Sequence, residues 1–136
     1  MTATLVADAS FVMALLSDSD DPMTTWANDL IDGADLVAPH FMPVEVTSAL
    51  RNAERREILT PRQTALIHQD LVDLGVELYP FEPFASRVWA LRHAASPYDA
   101  WYLALAERLE VPLVTLDLRL TRTADARCEF SLPPSS

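Results

Sequence analysis

The stretch "SPYDAWYLALAERLEVPLVTLDLRL", residues 96–120, carries an acid at each of two structural boundaries. Ser96-Pro97 is a helix start: a hydroxyl for the N-cap, then a proline whose missing N–H costs nothing at the first helical position. A helix of about 13 residues at 1.5 Å per residue runs roughly 20 Å down the domain. The apolar run PLVTL, residues 112–116, climbs back roughly 17 Å as a strand at about 3.3 Å per residue. Asp99, just inside the helix, and Asp117, just after the strand, therefore return to one level.

The same alternation extends in both directions. ATLVADAS (3–10) reads as a buried strand running into the helix SFVMALL, and SDSDDP (17–22) as a polar break. Met23, Trp26, Ala27, Leu30 and Ile31 fall on one face of the next helix. Asp35–Ala38 is a second strand. Pro43 opens a helix to about Arg56, with Val44, Thr47, Ala49 and Leu50 available for packing. Thr60-Pro61 opens another, to Leu74. VELYPF (76–81) is a third strand, residues 83–95 form a helix, and CEFSL (128–132) is a candidate edge strand. Short apolar strands alternating with helices predict a three-layer α/β/α domain around a mostly parallel sheet of four to five strands. Residues 1–132 are expected to form this single domain, with 133–136 a frayed tail.

Composition narrows the chemistry. The 136 residues carry 20 acids against 10 basic side chains, for a net charge of −10. All ten basic residues are arginine, so a phosphate loop that needs lysine is excluded. One cysteine, Cys128, leaves no disulfide framework and no CxxC pair for zinc. No apolar window is long enough to span a membrane, and MTATLVADAS lacks a signal peptide's basic region. A soluble, cytoplasmic protein is expected. His40, His68 and His93 show no paired spacing and are read as surface or partly buried residues. The acids of 18–21 fail as a calcium loop because Met23 stands at the required glycine.

Ligands of open parallel sheets gather beyond the strands' carboxyl ends. Asp8 ends the first strand and Asp117 the last long one. Glu45 opens the helix after the second strand, and Asp99 reaches the same rim. Singly, each has an ordinary use as a helix cap or dipole partner. Together, set in LVADASFV, MPVEVTSAL, PYDAWYLAL and LVTLDLRL, four carboxylates cannot all ionise without a counter-charge. With the Ser10 and Thr115 hydroxyls beside them, the oxygen-rich set suits Mg2+, or Mn2+. Metal ions would also let an acidic protein meet a polyanion. Arg51, Arg55, Arg56, Arg87, Arg92, Arg119 and Arg122 are candidates to hold flanking phosphates.

On VADAS (Asp8), VEVTSALR (Glu45) and the YDA-to-TLD block (Asp99, Asp117), the chain resembles the PIN-domain ribonucleases, specifically the VapC-type toxins of toxin–antitoxin pairs. The resemblance implies a Mg2+-dependent endoribonuclease in which Asp8 and Asp99 are the principal metal ligands. Glu45 and Asp117 complete the pocket, and Thr115 supports it. It also implies an RNA substrate, a cognate antitoxin, and a homodimer or a toxin–antitoxin hetero-oligomer, without a membrane. The family often has asparagine three residues after the helix glutamate; here the position is Ser48. Trp26, Met23 and Phe41 are read first as core and second as contributors to a partner surface. A catalytically quiet PIN-like module that acts by protein binding is the alternative. A small-molecule phosphatase is disfavoured by the missing lysine and by DAS rather than DxD at residues 8–10.

Overall fold

The computed structural model describes residues 3–17 and 20–135. Asp18, assigned above to the polar break, and the ends of the expected domain and tail (residues 1–2 and 136) lie outside the described residues. Five strands, β1 (Ala3–Ala7), β2 (Ala34–Pro39), β3 (Glu77–Tyr79), β4 (Leu113–Val114) and β5 (Phe130–Ser131), form one parallel sheet in the order β3-β2-β1-β4-β5. Val6 pairs with Val37 of β2 on one side and with Leu113 of β4 on the other. The helices are α1 (Ala9–Leu16), α2 (Pro22–Ile31), α3 (Met42–Arg55), α4 (Pro61–Asp73), α5 (Ala85–Ala90) and α6 (Pro97–Leu109).

The expected α/β/α architecture is present. Helix α6 packs on β1, β2 and β4 with α5 alongside, whereas α1 packs with α2, α3 and α4. Val6, Ala7, Val37, Leu113 and Val114 are almost wholly buried, because a strand covered on both faces must be apolar throughout. Helix α6 is buried nearly all round from Ala100 to Ala106. Such a helix is held by core packing rather than by one greasy stripe.

The chain builds outward from β1 to β2 and β3, then returns across the sheet to place β4 on β1's other side. The strand order therefore reverses between β1 and β4, and a crevice opens at their carboxyl ends. Gly33 and Gly75, the chain's two glycines, both take φ near +76° at turns from helix to strand. Without a Cβ they adopt the left-handed region at no steric cost. Glu110 fills the same role between α6 and β4 at φ 57°.

Three expectations are corrected in detail. The helix expected over 83–95 is a 3-10 turn, Glu82–Phe84, followed by the short α5. The chain turns at Leu91 to bury that side chain, and Ser96 must then be extended because it precedes a proline. The strand expected over 112–116 is two residues long; the Thr115 N–H makes a last bond to the Ser131 carbonyl, and the chain beyond it turns away from the sheet. On α3, Met42, Val46 and Leu50 form the buried stripe while Val44 and Thr47 face outward. Trp26 and Phe41 pack against the core, in line with their first reading, and the exposed apolar side chains are residues such as Val44, Leu66, Val72 and Trp89. Among the described residues no helix is long and apolar enough to cross a membrane.

Candidate active site

Asp8 is the first residue past β1 and the N-cap of α1, where its Oδ1 accepts from the Phe11 N–H at 3.0 Å. It is only 5% exposed, yet its carboxylate is well supplied with donors. The Ser10 hydroxyl donates to Oδ1 at 2.7 Å and the Thr115 hydroxyl donates to Oδ2. Those hydroxyls are held in turn by the chain leaving β4: Leu116 N–H donates to Ser10 Oγ at 3.0 Å, and Asp117 N–H to Thr115 Oγ1 at 2.9 Å. One polar network thus ties the carboxyl ends of β1 and β4 together. Burial still dominates and raises the Asp8 carboxyl above its ordinary range, with the hydrogen bonds from Thr115, Ser10 and Phe11 opposing and the Asp117 charge adding.

Glu45 enters from the first turn of α3. The start of α3 is fixed against the start of α6 by Phe41, whose ring meets those of Tyr98, Trp101 and Tyr102 at 5.1–5.2 Å. The Tyr102 hydroxyl donates to Glu45 Oε1 at 3.0 Å, a bond between helices 57 residues apart in sequence. Burial raises the Glu45 carboxyl, the Tyr102 bond lowers it, and the charges of Asp8 and Asp99 raise it again. Tyr102, 2% exposed, is a site residue that the sequence analysis did not identify. Its signal was its place three residues after Asp99, on the same helix face.

Asp99 sits in the first turn of α6, whose N-cap Ser96 accepts from the Asp99 N–H at 3.2 Å. Its carboxylate turns to Arg119, with Nη2 at 3.4 Å from Oδ2. Asp117 caps the 3-10 turn Leu118–Arg122 and accepts from Arg119 twice, from the backbone N–H at 3.0 Å and from Nη2 at 2.9 Å. That arginine holds Asp117 below the usual carboxylate range, against a smaller opposing effect of burial.

Asp8, Glu45, Asp99 and Asp117 therefore come together, each linked to another by charge or by a shared partner. Of the opening stretch's two acids, Asp117 is a cap, whereas Asp99 lies in the first turn of a helix capped by Ser96, and both pair with Arg119. Of the arginines named above, Arg92, Arg119 and Arg122 line a cleft of about 830 Å3 together with Glu45, His93, Tyr98 and Asp99. Arg87 is taken instead by Glu107, at 2.8 Å, near the far end of α6. Arg51, Arg55 and Arg56 project to solvent from later turns of α3 and the turn after it.

Among the described residues no group of three or more His, Cys, Asp or Glu side chains is arranged to hold a metal ion by itself. The donors nevertheless fit a hydrated divalent ion. They are oxygens throughout, Asp8 is the most buried of the four carboxylates, and Mg2+ characteristically uses one or two carboxylates and keeps its waters.

Residues 5–126 match the PIN domain family model. The chain belongs to the PIN domain family. Its relatives within that family are VapC-type: this PIN domain is 37% identical to "Ribonuclease VapC9" of Mycobacterium tuberculosis over 131 residues, covering 96% of this chain and 98% of the relative. It is 31% identical to "Ribonuclease VapC12" of the same species over 128 residues, covering 94% and 98%. Among solved structures, PAE2754 from Pyrobaculum aerophilum superposes with a TM-score of 0.69 at 19% identity, covering 93% of this chain and 83% of that one. The DNA-bound VapBC structure from Salmonella typhimurium superposes at 0.68 with 13% identity, covering 98% and 100%. At those identities the likeness speaks for the fold of this PIN domain alone.

Proposed function

We propose that this PIN domain is a Mg2+-dependent endoribonuclease, with Mn2+ able to substitute, that hydrolyses RNA phosphodiester bonds. The observation carrying this reading is the convergence of four acids, from four separate segments, at the sheet's switch point beside an arginine-lined cleft. The ribonuclease names of relatives at 37% and 31% identity support it.

Asp8 and Asp99 would hold the ion, with Glu45 and Asp117 closing the pocket. The bound ion supplies positive charge to the scissile phosphate and lowers the pKa of an attacking water. The protein's own part is orientation. Ser10 and Thr115 hold the Asp8 carboxylate by both oxygens, so it cannot rotate away from the crevice. Tyr102 fixes Glu45 from behind, and burial makes that carboxylate a better proton acceptor than an exposed one would be.

The relatives' VapC names, and the VapBC and FitAB assemblies that share the fold, support the further reading of a type II toxin. A protein antitoxin would hold it silent as a hetero-oligomer in the cytoplasm, and the free toxin would form a homodimer.

The test is cleavage of a labelled single-stranded RNA with Mg2+ and with EDTA, by the wild type and by the Asp8→Asn and Asp99→Asn variants. Cleavage should require Mg2+ and fall at least a hundredfold in both variants, a loss of about 2.7 kcal/mol of transition-state stabilisation. Undiminished cleavage by both variants would remove the mechanism. No cleavage by the antitoxin-free wild type would favour a quiet module that acts by binding protein.

A further inference from the structure

Two different partners lay claim to the Arg119 side chain. Its Nη2 stands 2.9 Å from Asp117 Oδ2 and 3.4 Å from Asp99 Oδ2, two of the three ion pairs among the described residues. The same side chain is 73% exposed and lines the cleft that Arg92, Arg122, His93 and Tyr98 also line.

The local backbone aims it both ways. Residues 118–122 form a 3-10 helix, in which positions i and i+3 eclipse, so Arg119 and Arg122 project from one side. Arg92, on the other wall, is braced by stacking 4.5 Å from the Trp89 ring centroid and by donating Nη1 to the Trp89 carbonyl at 2.9 Å. Tyr98, next to Asp99 in sequence, is 60% exposed and backed edge-on by Phe41, which leaves it available to a nucleobase. In a chain of net charge −10, three arginines and an exposed tyrosine beside the acids make a track suited to a single-stranded polyanion.

We propose that Arg119 is a shared cation, which neutralises Asp99 and Asp117 when no divalent ion does so and otherwise holds an RNA phosphate beside Arg122. A guanidinium and a divalent ion cannot both sit close to those two carboxylates without strong mutual repulsion. The exposed pairs are weak, so exchanging the guanidinium for an ion costs little. Once released, Arg119 carries its charge only as far as its own side chain reaches, which is the cleft. Ion binding and RNA binding are thereby coupled through one residue. This inference rests on the ribonuclease reading above.

The experiment pairs two titrations on the full chain, wild type, Arg119→Gln and Arg122→Gln. Mn2+ binding is followed by calorimetry, and binding of a 12-nucleotide phosphorothioate RNA by fluorescence anisotropy in Mn2+. Arg119→Gln should bind Mn2+ roughly three- to tenfold more tightly, because a competing cation is gone. Arg122→Gln should leave Mn2+ affinity within about twofold. Both variants should bind the RNA several-fold more weakly. Unchanged Mn2+ affinity in Arg119→Gln overturns the competition, and undiminished RNA affinity overturns the transfer. A wild type that binds no Mn2+ removes the ion pocket itself, a failure distinct from a normal wild type and an unresponsive Arg119→Gln.

Discussion

Asp8 shows how one side chain can serve the fold and oppose it together. As N-cap of α1 it satisfies an otherwise orphaned N–H, a contribution of about 1 kcal/mol. As a nearly buried charge it costs stability unless something compensates it. Its carboxyl is raised from the ordinary 3.8, chiefly by burial. A raised carboxyl contributes stability that is complete below 3.8 and is lost as pH rises through its folded value. Asparagine keeps a capping oxygen and removes the charge. In EDTA at pH 7.5, Asp8→Asn is therefore expected to melt higher than wild type by about 4 °C, on the order of 1 kcal/mol. The gap should narrow as pH falls and the wild-type carboxyl takes up its proton. A variant that melts lower at pH 7.5 would mean that the three hydrogen bonds outweigh the buried charge. At this scale the sequence was informative about identity: each of the four acids stood out because its neighbours are apolar. Its silence concerned partners. That Thr115 donates to Asp8 across 107 residues, or that Asp99 meets Arg119 at 20, depends on which strands adjoin.

Of the segments that begin at the carboxyl edge of the sheet, α1, α6 and the 3-10 turn after β4 are capped by a side chain of the site or immediately beside it, Asp8, Ser96 and Asp117, whereas α3 has no side-chain cap. Capping needs and the acidic rim thus draw on the same positions, which is why helix-start signals led to the site. The link between α3 and α6 was less visible. Phe41 and Tyr102 read as core aromatics, yet the Tyr102 hydroxyl is what joins Glu45 to α6. Tyr102→Phe should lose about 1 kcal/mol of stability, measured by denaturant unfolding. It also removes the hydrogen bond that lowers the Glu45 carboxyl, so that carboxyl rises further. The acid limb of the pH–rate profile for RNA cleavage should accordingly move to higher pH, and an unmoved limb would show that Glu45 does not titrate in the reaction. The misplaced face of α3 has a simple cause. Leu50 is buried as expected, but starting the stripe from Val44 rather than Met42 rotates its first turns by two residues, about 200° around the helix, and puts Val44 and Thr47 outside.

For the molecule as a whole, the deciding feature is the reversal of strand order between β1 and β4. Periodicity could indicate that strands alternate with helices, and the helix-length argument could bring Asp99 and Asp117 to one level. Neither could place β4 beside β1 rather than beside β3, since pairing between distant strands is settled by how the whole sheet is covered. That placement turns a ring of acids into one crevice and sets three of the ten arginines along its edge. The other arginines lie elsewhere: Arg87 pairs with Glu107, and Arg51, Arg55 and Arg56 face solvent from the later part of α3 and the turn after it.

The most direct measurement is anomalous diffraction at the manganese edge from crystals of this chain soaked in Mn2+. A peak within about 2–2.5 Å of carboxylate oxygens of Asp8 and Asp99 is the expected result, with the Arg119 guanidinium withdrawn from Asp99. A peak only elsewhere on the surface, with Asp8 and Asp99 uncontacted at saturating Mn2+, would contradict the ion pocket on which the proposed chemistry depends.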